Sequence, residues 1–283
     1  MLINSNGLLE KALKDGYAIP AYNINNLEWT RFILEACDSD KSPVILSVTP
    51  SAISYFSGYK VVSNMVKNLI NELNIKIPVV LHLDHGKSFL ECKNAIDAGF
   101  TSVMIDASNM TLDENIKITN EVIKYAQAHN VSVEAELGSF AGDDEKKEGE
   151  YSYTDIESSK EFVIATNVNS LAPSVGNFHG IYKEIPNIDF ELLGAICKNT
   201  KIPLVLHGAS GLDDNKIRTA IFCGVAKINI NTELQVAWSS ELRKFLEENK
   251  EVYDPRKIIK SGEHALKAVI HRKNILFESK NKA

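Results

Sequence analysis

The chain has 283 residues, of which 44% are hydrophobic and 24% are charged, as in an ordinary soluble globular protein. The formal net charge of -6 gives no reason to expect nucleic acid as a partner, although metal ions and helix N-termini can still attract an anionic substrate. No apolar run approaches the ~20 residues that cross a membrane, residues 1–23 lack the pattern of a signal peptide, and the four cysteines lie far apart, so we expect a cytoplasmic protein with no membrane partner.

Short apolar segments alternate with helical patterns from one end of the chain to the other. We predict eight strands, over residues 18–23, 43–48, 78–84, 102–106, 131–137, 170–175, 203–208 and 226–230. Several are apolar on both faces, as parallel strands covered by helices are. Eight consecutive βα units predict an α/β protein with a (β/α)8 (TIM) barrel and a single domain over 1–283. An open doubly wound sheet is disfavoured because no GxGxxG follows the first strand.

The helical patterns also predict where individual helices begin. Residues 59–74 carry apolar side chains at helical spacing, and a last helix over roughly 261–275 would form a C-terminal extension. Capping boxes are predicted at three helix starts, namely Ser88 with Glu91, Thr111 with Glu114, and Thr154 with Glu157. The segments 76–86 and 201–211 are similar to each other and would lie half a barrel apart, which supports the barrel.

The long polar segment 138–153 follows the fifth predicted strand. In a barrel it would lie on the face where active sites form, and long loops there are often lids. A solvated surface loop without function is an equally good interpretation.

Three histidines stand at or just beyond strand ends, each followed by glycine: His85, His179 and His207. Three imidazoles from three strands can bind one zinc ion and leave a fourth position open, which is the arrangement of a catalytic site. His82 aligns with His207 in the internal similarity and could compete as a ligand. We expect it to lie deeper in the barrel as a partner of the ligands.

Acidic residues end neighbouring strands. Asp84 is a candidate general acid/base or a residue that orients a histidine, and it can reach the pocket together with His85 only if the strand gives way to a turn, which Gly86 permits. Asp106, Glu134 and Glu136 could bind a second metal or orient the ligands of the first.

Small residues in the last two loops, 207–211 and 229–232, lead directly into helices. Barrels commonly bind phosphate at these two loops, where helix N-termini attract an anion. Simple turn chemistry would also explain the glycine and serine of the first loop.

Several strings together resemble the class II, zinc-dependent fructose-bisphosphate aldolase family, including its tagatose-bisphosphate aldolase members. The matching strings are AYNINN (21–26), HLDHG (82–86), SVMIDAS (102–108), VSVEAELG (131–138), GNFHGIYK (176–183), LVLHGASG (204–211), KININTE (227–233) and YDPR (253–256). The resemblance covers nearly the whole chain in order. It implies a (β/α)8 barrel and the reversible cleavage of a ketose 1,6-bisphosphate into dihydroxyacetone phosphate and an aldose phosphate, here glyceraldehyde 3-phosphate.

The resemblance also implies residue roles. His85, His179 and His207 would be the ligands of the catalytic Zn2+, Asp84 the acid/base at the C4 hydroxyl, and Asp106 and Glu136 the ligands of a possible second divalent metal. The implied substrate and phosphate contacts are Asn23, Thr49, Gly180, Lys183, Gly208, Ser210, Asn229, Asn231 and Thr232. Arg256 would reach the second phosphate across the interface of a homodimer, or of a dimer of dimers. A monovalent cation, Na+ or K+, would bind beside the phosphate loops.

The chain departs from the family pattern in the lid segment. After ELG the family usually continues as GGxEDD or GGEEDG, whereas this chain reads SFAGDDEKKEG (139–149), so the usual catalytic glutamate falls on Asp144. We expect Asp144 or its neighbour Glu145 to transfer the proton. A class I mechanism would need a lysine Schiff base, and Lys227 is disfavoured because it lies within a strand.

The substrate has competing interpretations. Fructose 1,6-bisphosphate leads, and the NINTE string (229–233) favours it. Thr49-Pro50 is more typical of tagatose-type members, and a phosphogluconate derivative of inositol breakdown would fit much of the same pattern. A barrel that binds metal and sugar phosphate without catalysis is the alternative from another functional class.

Overall fold

The computed structural model describes residues 2–138, 152–177, 180 and 187–283. Eight parallel strands form a closed barrel in chain order, and β8 pairs with β1 through Ile19 and Lys227. The strands are β1 Ile19–Asn23, β2 Val44–Val48, β3 Val79–Gly86, β4 Ser102–Ile105, β5 Ser132–Leu137, β6 Ser170–Pro173, β7 Leu204–Leu206 and β8 Val225–Ile230. The predicted barrel is confirmed, and each predicted strand matches an observed one.

Helices cover the outside of the barrel. Over the described ranges they are α1 Asn6–Asp15, α2 Leu27–Ser39, α3 Pro50–Tyr55, α4 Tyr59–Glu72, α5 Phe89–Ala98, α6 Leu112–Gln127, α7 Ile156–Thr166, α8 Phe190–Thr200, α9 Asp214–Phe222, α10 Thr232–Glu248, α11 Pro255–Ser261 and α12 Glu263–Leu276. The predicted C-terminal helix is α12, which packs against α2 and α10. No helix in the part of the chain that the structure describes is long and apolar enough to cross a lipid bilayer.

Of the three predicted capping boxes, one is complete and one is half formed. Thr111 and Glu114 form a complete capping box, and the Ser88 side chain accepts from the backbone N–H of Glu91. The prediction for Thr154 is wrong, because Asp155 is the N-cap of α7. The Thr154 hydroxyl instead donates to the carbonyl of Leu137 at 2.6 Å, so it ties the segment before α7 to the end of β5.

The apolar core lies at the N-terminal end of the barrel and between strands and helices. Inside the N-terminal end of the barrel, Ile19, Ile45 and Val80 pack against Leu9 and Ala12 of α1, and this helix closes that end. The large remaining cluster fills the space between the sheet and the outer helices. Stability therefore comes mainly from these regions, and the carboxyl ends of the strands are left for polar side chains.

Candidate active site

Asp84 and His85 reach the same pocket because β3 is irregular at its end. The register between β3 and β4 shifts between Leu83 and Gly86, and His85 itself adopts the left-handed conformation with φ 56°. The turn expected at Gly86 is thus made by His85. Gly86 is needed for a different reason, since a Cβ there would lie 2.8 Å from the Leu83 side chain and 2.9 Å from the Met104 carbonyl oxygen.

Asp84, His85 and His207 each offer a ligand atom, and these atoms all lie within 4.8 Å of one another. The imidazole rings of His85 and His207 are 4.6 Å apart between centroids and meet edge to face. Two of the three predicted zinc ligands are therefore adjacent at the carboxyl ends of β3 and β7. His179, the third, lies outside the described residues.

His85 is oriented by two acidic side chains, one just after β4 and one in β5. Its Nδ1 lies 2.9 Å from Asp106 Oδ2 and 3.6 Å from Glu136 Oε2. Burial lowers the pKa of His85, but the hydrogen bond to Asp106 and the charges of Asp84 and Glu136 outweigh it and raise the pKa to about 9. Burial likewise opposes ionisation of Asp106, yet His85 and Lys87 hold its pKa well below the ordinary value.

His85, Asp106 and Glu136 form a second group whose ligand atoms lie within 4.8 Å of one another. Lys87 Nζ also contacts Asp106 Oδ2 at 2.6 Å, a neighbour that the sequence interpretation missed. A polar residue just past a strand end was the only signal for it. Asn115 of α6 donates to the backbone carbonyl of Glu136 at 2.9 Å and so supports the end of β5.

A buried polar chain runs beneath His207. Its Nε2 lies 2.8 Å from Glu134 Oε1, and Glu134 Oε2 accepts from Lys227 Nζ at 2.7 Å. His82 continues the chain, with Nε2 3.3 Å from Lys227 Nζ and Nδ1 2.8 Å from Ser102 Oγ. Lys227 thus forms an ion pair inside the barrel, and His82 lies below the pocket.

Burial is the largest cause of the pKa shifts of the two histidines in this hydrogen-bonded network. It lowers the pKa of His207 to about 4 despite the opposing effect of Glu134, and it lowers that of His82 to about 3. Burial would raise the pKa of Glu134, but Lys227 and His207 hold it below the ordinary value. At neutral pH the two histidines are neutral and Glu134 is ionised.

Two asparagines hold the carboxylate of Asp84. Asn23 of β1 donates to Oδ2 at 2.9 Å, and Asn229 of β8 donates to Oδ1 at 3.1 Å. Burial raises the pKa of Asp84, but electrostatic interaction with His85 first, and then with His207 and Lys227, outweighs it and lowers the pKa. The two hydrogen bonds therefore fix the orientation of the Asp84 carboxylate, which is ionised at neutral pH.

The loops after β7 and β8 contact each other directly. Ser210 Oγ accepts from the backbone N–H of Asn231 at 3.4 Å, and Glu233 Oε1 accepts from that of Gly211 at 2.8 Å. Gly208 adopts φ 66°. Asn231 is the N-cap of α10 and Thr232 its first residue, so the predicted phosphate contacts surround one helix N-terminus.

The remaining residues predicted to contact the substrate or to transfer its proton do not form one group in the part of the chain that the structure describes. The Thr49 hydroxyl caps α3 by accepting from the N–H of Ala52 at 3.3 Å, and Gly180 adopts φ 102°. Arg256 is 88% exposed and pairs with Asp254 at 2.9 Å. The predictions for Asp144, Glu145 and Lys183 concern residues outside the described ranges.

Asn177 was also missed by sequence interpretation. It is buried, its side chain donates to the carbonyl of His207 at 3.0 Å, and its Oδ1 accepts from the N–H of Val175 at 3.1 Å. Asn177 therefore links the segment that precedes His179 to the end of β7. Its position two residues before a candidate ligand was the available signal.

Comparison with known proteins agrees with this geometry. A sequence model of the family described as fructose-bisphosphate aldolase class-II matches residues 3–282. A fructose-bisphosphate aldolase of Geobacillus stearothermophilus is 48% identical over 283 residues, covering 100% of this chain and 99% of that protein. A 6-phospho-5-dehydro-2-deoxy-D-gluconate aldolase of Bacillus subtilis (strain 168) is 46% identical over 276 residues, covering 98% of this chain and 95% of that protein.

Two solved structures of aldolases superpose closely on this chain. The YdjI aldolase from Escherichia coli K12 superposes with a TM-score of 0.87 at 34% identity, covering 100% of both chains. The fructose-bisphosphate aldolase (Fba) from Campylobacter jejuni superposes with a TM-score of 0.87 at 25% identity, covering 100% of this chain and 97% of that chain.

Proposed function

Because the chain belongs to the class II fructose-bisphosphate aldolase family, we propose that it cleaves fructose 1,6-bisphosphate reversibly into dihydroxyacetone phosphate and glyceraldehyde 3-phosphate. One observation carries this proposal: Asp84, His85 and His207 converge within 4.8 Å at the strand ends, next to the two loops expected to bind phosphate. The residues that we expect to bind a metal would thus lie beside the proposed acid/base, as an aldol cleavage requires. The matched region, 3–282, also supports a single aldolase domain.

The side chains present fit a zinc ion. His207 Nε2 and His85 Nδ1 are both engaged by carboxylates, so we assign Nδ1 of His207 and Nε2 of His85 as ligand atoms, with His179 as the third ligand. A bound zinc ion would act as a Lewis acid that stabilises the negative charge left on the substrate when the C3–C4 bond breaks. The group of His85, Asp106 and Glu136 offers two carboxylates for a second divalent ion.

The chain's own residues would move the protons. Asp84 is ionised and fixed by Asn23 and Asn229, so it is oriented to take the proton of the C4 hydroxyl and to return it to the aldehyde in the reverse direction. Asp144 or Glu145 would carry the proton to and from C3. Asp144 is the preferred residue, because the usual catalytic glutamate of the family pattern falls on that position.

The substrate's phosphates would bind at opposite ends of the pocket. The segments 208–211 and 229–232 surround the N-terminus of α10 and would bind the phosphate next to C1, with a monovalent cation beside them. Asn23, Thr49, Gly180 and Lys183 would contact the remainder of the sugar. Arg256 of a second subunit would bind the other phosphate in a homodimer; the side chain is 88% exposed and so is accessible to a second subunit.

A second candidate substrate follows from the relatives. Proteins named 6-phospho-5-dehydro-2-deoxy-D-gluconate aldolase are 45–47% identical to this chain, close to the 48% of the Geobacillus enzyme. That compound has one phosphate and a carboxylate in place of the second phosphate. The comparison of kcat/KM on it, on fructose 1,6-bisphosphate and on tagatose 1,6-bisphosphate tests the proposal.

We expect the highest kcat/KM on fructose 1,6-bisphosphate, and loss of cleavage after dialysis against a chelator with recovery on adding zinc. A higher kcat/KM on either competitor would overturn the choice of substrate. Full activity after complete removal of divalent metal would overturn the mechanism.

A further inference from the structure

Glu233, in the first turn of α10, connects the loop after β7 to the C-terminal helix. Its Oε1 accepts from the backbone N–H of Gly211 at 2.8 Å and lies 2.7 Å from Lys273 Nζ of α12. Its Oε2 lies 2.7 Å from Arg272 Nη2. One carboxylate therefore contacts a loop expected to bind phosphate and two cations of a distant helix.

The burial of Lys273 shows that this contact is specific. Its side chain is 2% exposed, whereas Arg272 beside it is 59% exposed. Lysine is almost never fully buried without a partner, because an unpaired buried charge is strongly destabilising. Glu233 provides that partner, and Lys273 in turn holds the carboxylate in place.

The electrostatic balance of the cluster explains why two cations are present. A carboxylate beside a phosphate loop would repel a phosphate, although a negative charge in the first turn suits the helix dipole. Lys273 and Arg272 together exceed the charge of Glu233 and leave the cluster with a net positive charge. Glu233 can therefore act as a hydrogen-bond acceptor for the loop without weakening anion binding.

The loop and the helix start hold each other in both directions. While Glu233 accepts from Gly211, Ser210 Oγ accepts from the backbone N–H groups of Asn231 and Glu233 at 3.4 and 3.5 Å. Displacement of Glu233 would consequently move both loops. We propose that Glu233 is a positioning residue for substrate phosphate and that Lys273 of the C-terminal helix is the counterion that makes it compatible with an anion. This inference rests on the proposed function.

Three variants and a control test the inference. K273M leaves the carboxylate with Arg272 alone, E233D shortens the acceptor by one methylene, and E233Q/K273M removes both charges while keeping an acceptor for Gly211. K267M is the matched control, because Lys267 of the same helix also forms ion pairs, with Glu35 and Glu263 at 2.6 Å, away from these loops. The readouts are kcat and KM for fructose 1,6-bisphosphate, competitive inhibition by inorganic phosphate, and the thermal midpoint.

We expect K273M and E233D to raise KM and the inhibition constant of inorganic phosphate about tenfold, with kcat within about twofold, as loss of a charge-assisted hydrogen bond predicts. The double variant should return both constants to within about threefold of wild type, because no buried charge remains uncompensated: Arg272, the cation that is left, is 59% exposed. K267M should lower the thermal midpoint without changing KM.

The inference falls if E233D or K273M keeps wild-type KM, if kcat falls instead, or if the double variant binds phosphate no better than K273M. Should K273M fail to fold, E233D and the double variant still decide. If the wild type neither cleaves the bisphosphate nor binds phosphate, the proposed function itself has failed. Active wild type with unaffected variants rejects only the role of Glu233.

Discussion

Replacing Glu134 with glutamine should disable His207 as a metal ligand by changing its tautomer. The carboxylate now accepts from Lys227 at 2.7 Å and contacts His207 Nε2 at 2.8 Å, and all three side chains are at most 2% exposed. A glutamine has one acceptor oxygen, which the charged Lys227 will take. Its amide N–H then faces His207 Nε2, which must become an acceptor, so the ring proton moves to Nδ1, the atom that we assign to zinc.

The substitution should lower both the zinc affinity and the stability of the metal-free protein. Removing the carboxylate partner of a ligating histidine typically costs 10–100-fold in metal affinity, which is about 1.4–2.7 kcal/mol. The metal-free protein should also lose about 3–5 kcal/mol of stability, because Lys227 becomes an uncompensated buried charge. E134Q/K227M should recover most of both losses, since without the lysine the amide oxygen can accept from His207 Nε2–H.

Two measurements check these predictions: zinc affinity by competition with a chelating dye, and chemical denaturation of the metal-free protein. D40N is the matched control: Asp40 is also buried and lies 2.7 Å from a histidine, His271, but outside the site, so its loss should lower stability and leave zinc affinity unchanged. Wild-type zinc affinity in E134Q would refute the tautomer argument. So would a double variant that binds zinc no better than E134Q.

Three further predictions concern the same end of the barrel. The pKa of about 9 for His85, above its ordinary 6.5, means that zinc must displace a proton when it binds. Zinc affinity should therefore rise about tenfold per pH unit between roughly pH 7.5 and 8.5 and level off above about 9. Titration calorimetry in two buffers measures the released proton, and a zinc affinity that does not change with pH would contradict this prediction. Gly86→Ala should destabilise by about 1–3 kcal/mol, because its Cβ would lie 2.9 Å from a carbonyl oxygen. Gly7→Ala, with open space at that position of α1, should be neutral or stabilising, and equal denaturation midpoints for the two would reject the packing argument. Asp144→Asn should slow proton exchange at dihydroxyacetone phosphate about 10²-fold or more, and more than Glu145→Gln does; wild-type exchange in both variants would show that neither residue carries the proton.

The order and type of the elements could be read from the sequence because the signals are local. Apolar runs of strand length, helical spacing and capping residues act over a few positions, and the barrel follows from eight repeats of one unit. Polar residues such as Asp84, His85 and His207 at strand ends could also be identified, since the carboxyl ends of parallel strands meet at one face.

Tertiary structure decided how those residues are presented. The left-handed backbone at His85 depends on how β3 pairs with β4. Thr154 joins the segment before α7 to β5 because the end of β5 lies within reach of its hydroxyl. The partner of His207 is Glu134, 73 residues earlier in the chain. Which nitrogen of an imidazole faces a metal, and which buried cation balances a buried carboxylate, depend on contacts between residues far apart in the chain, so no local pattern records them.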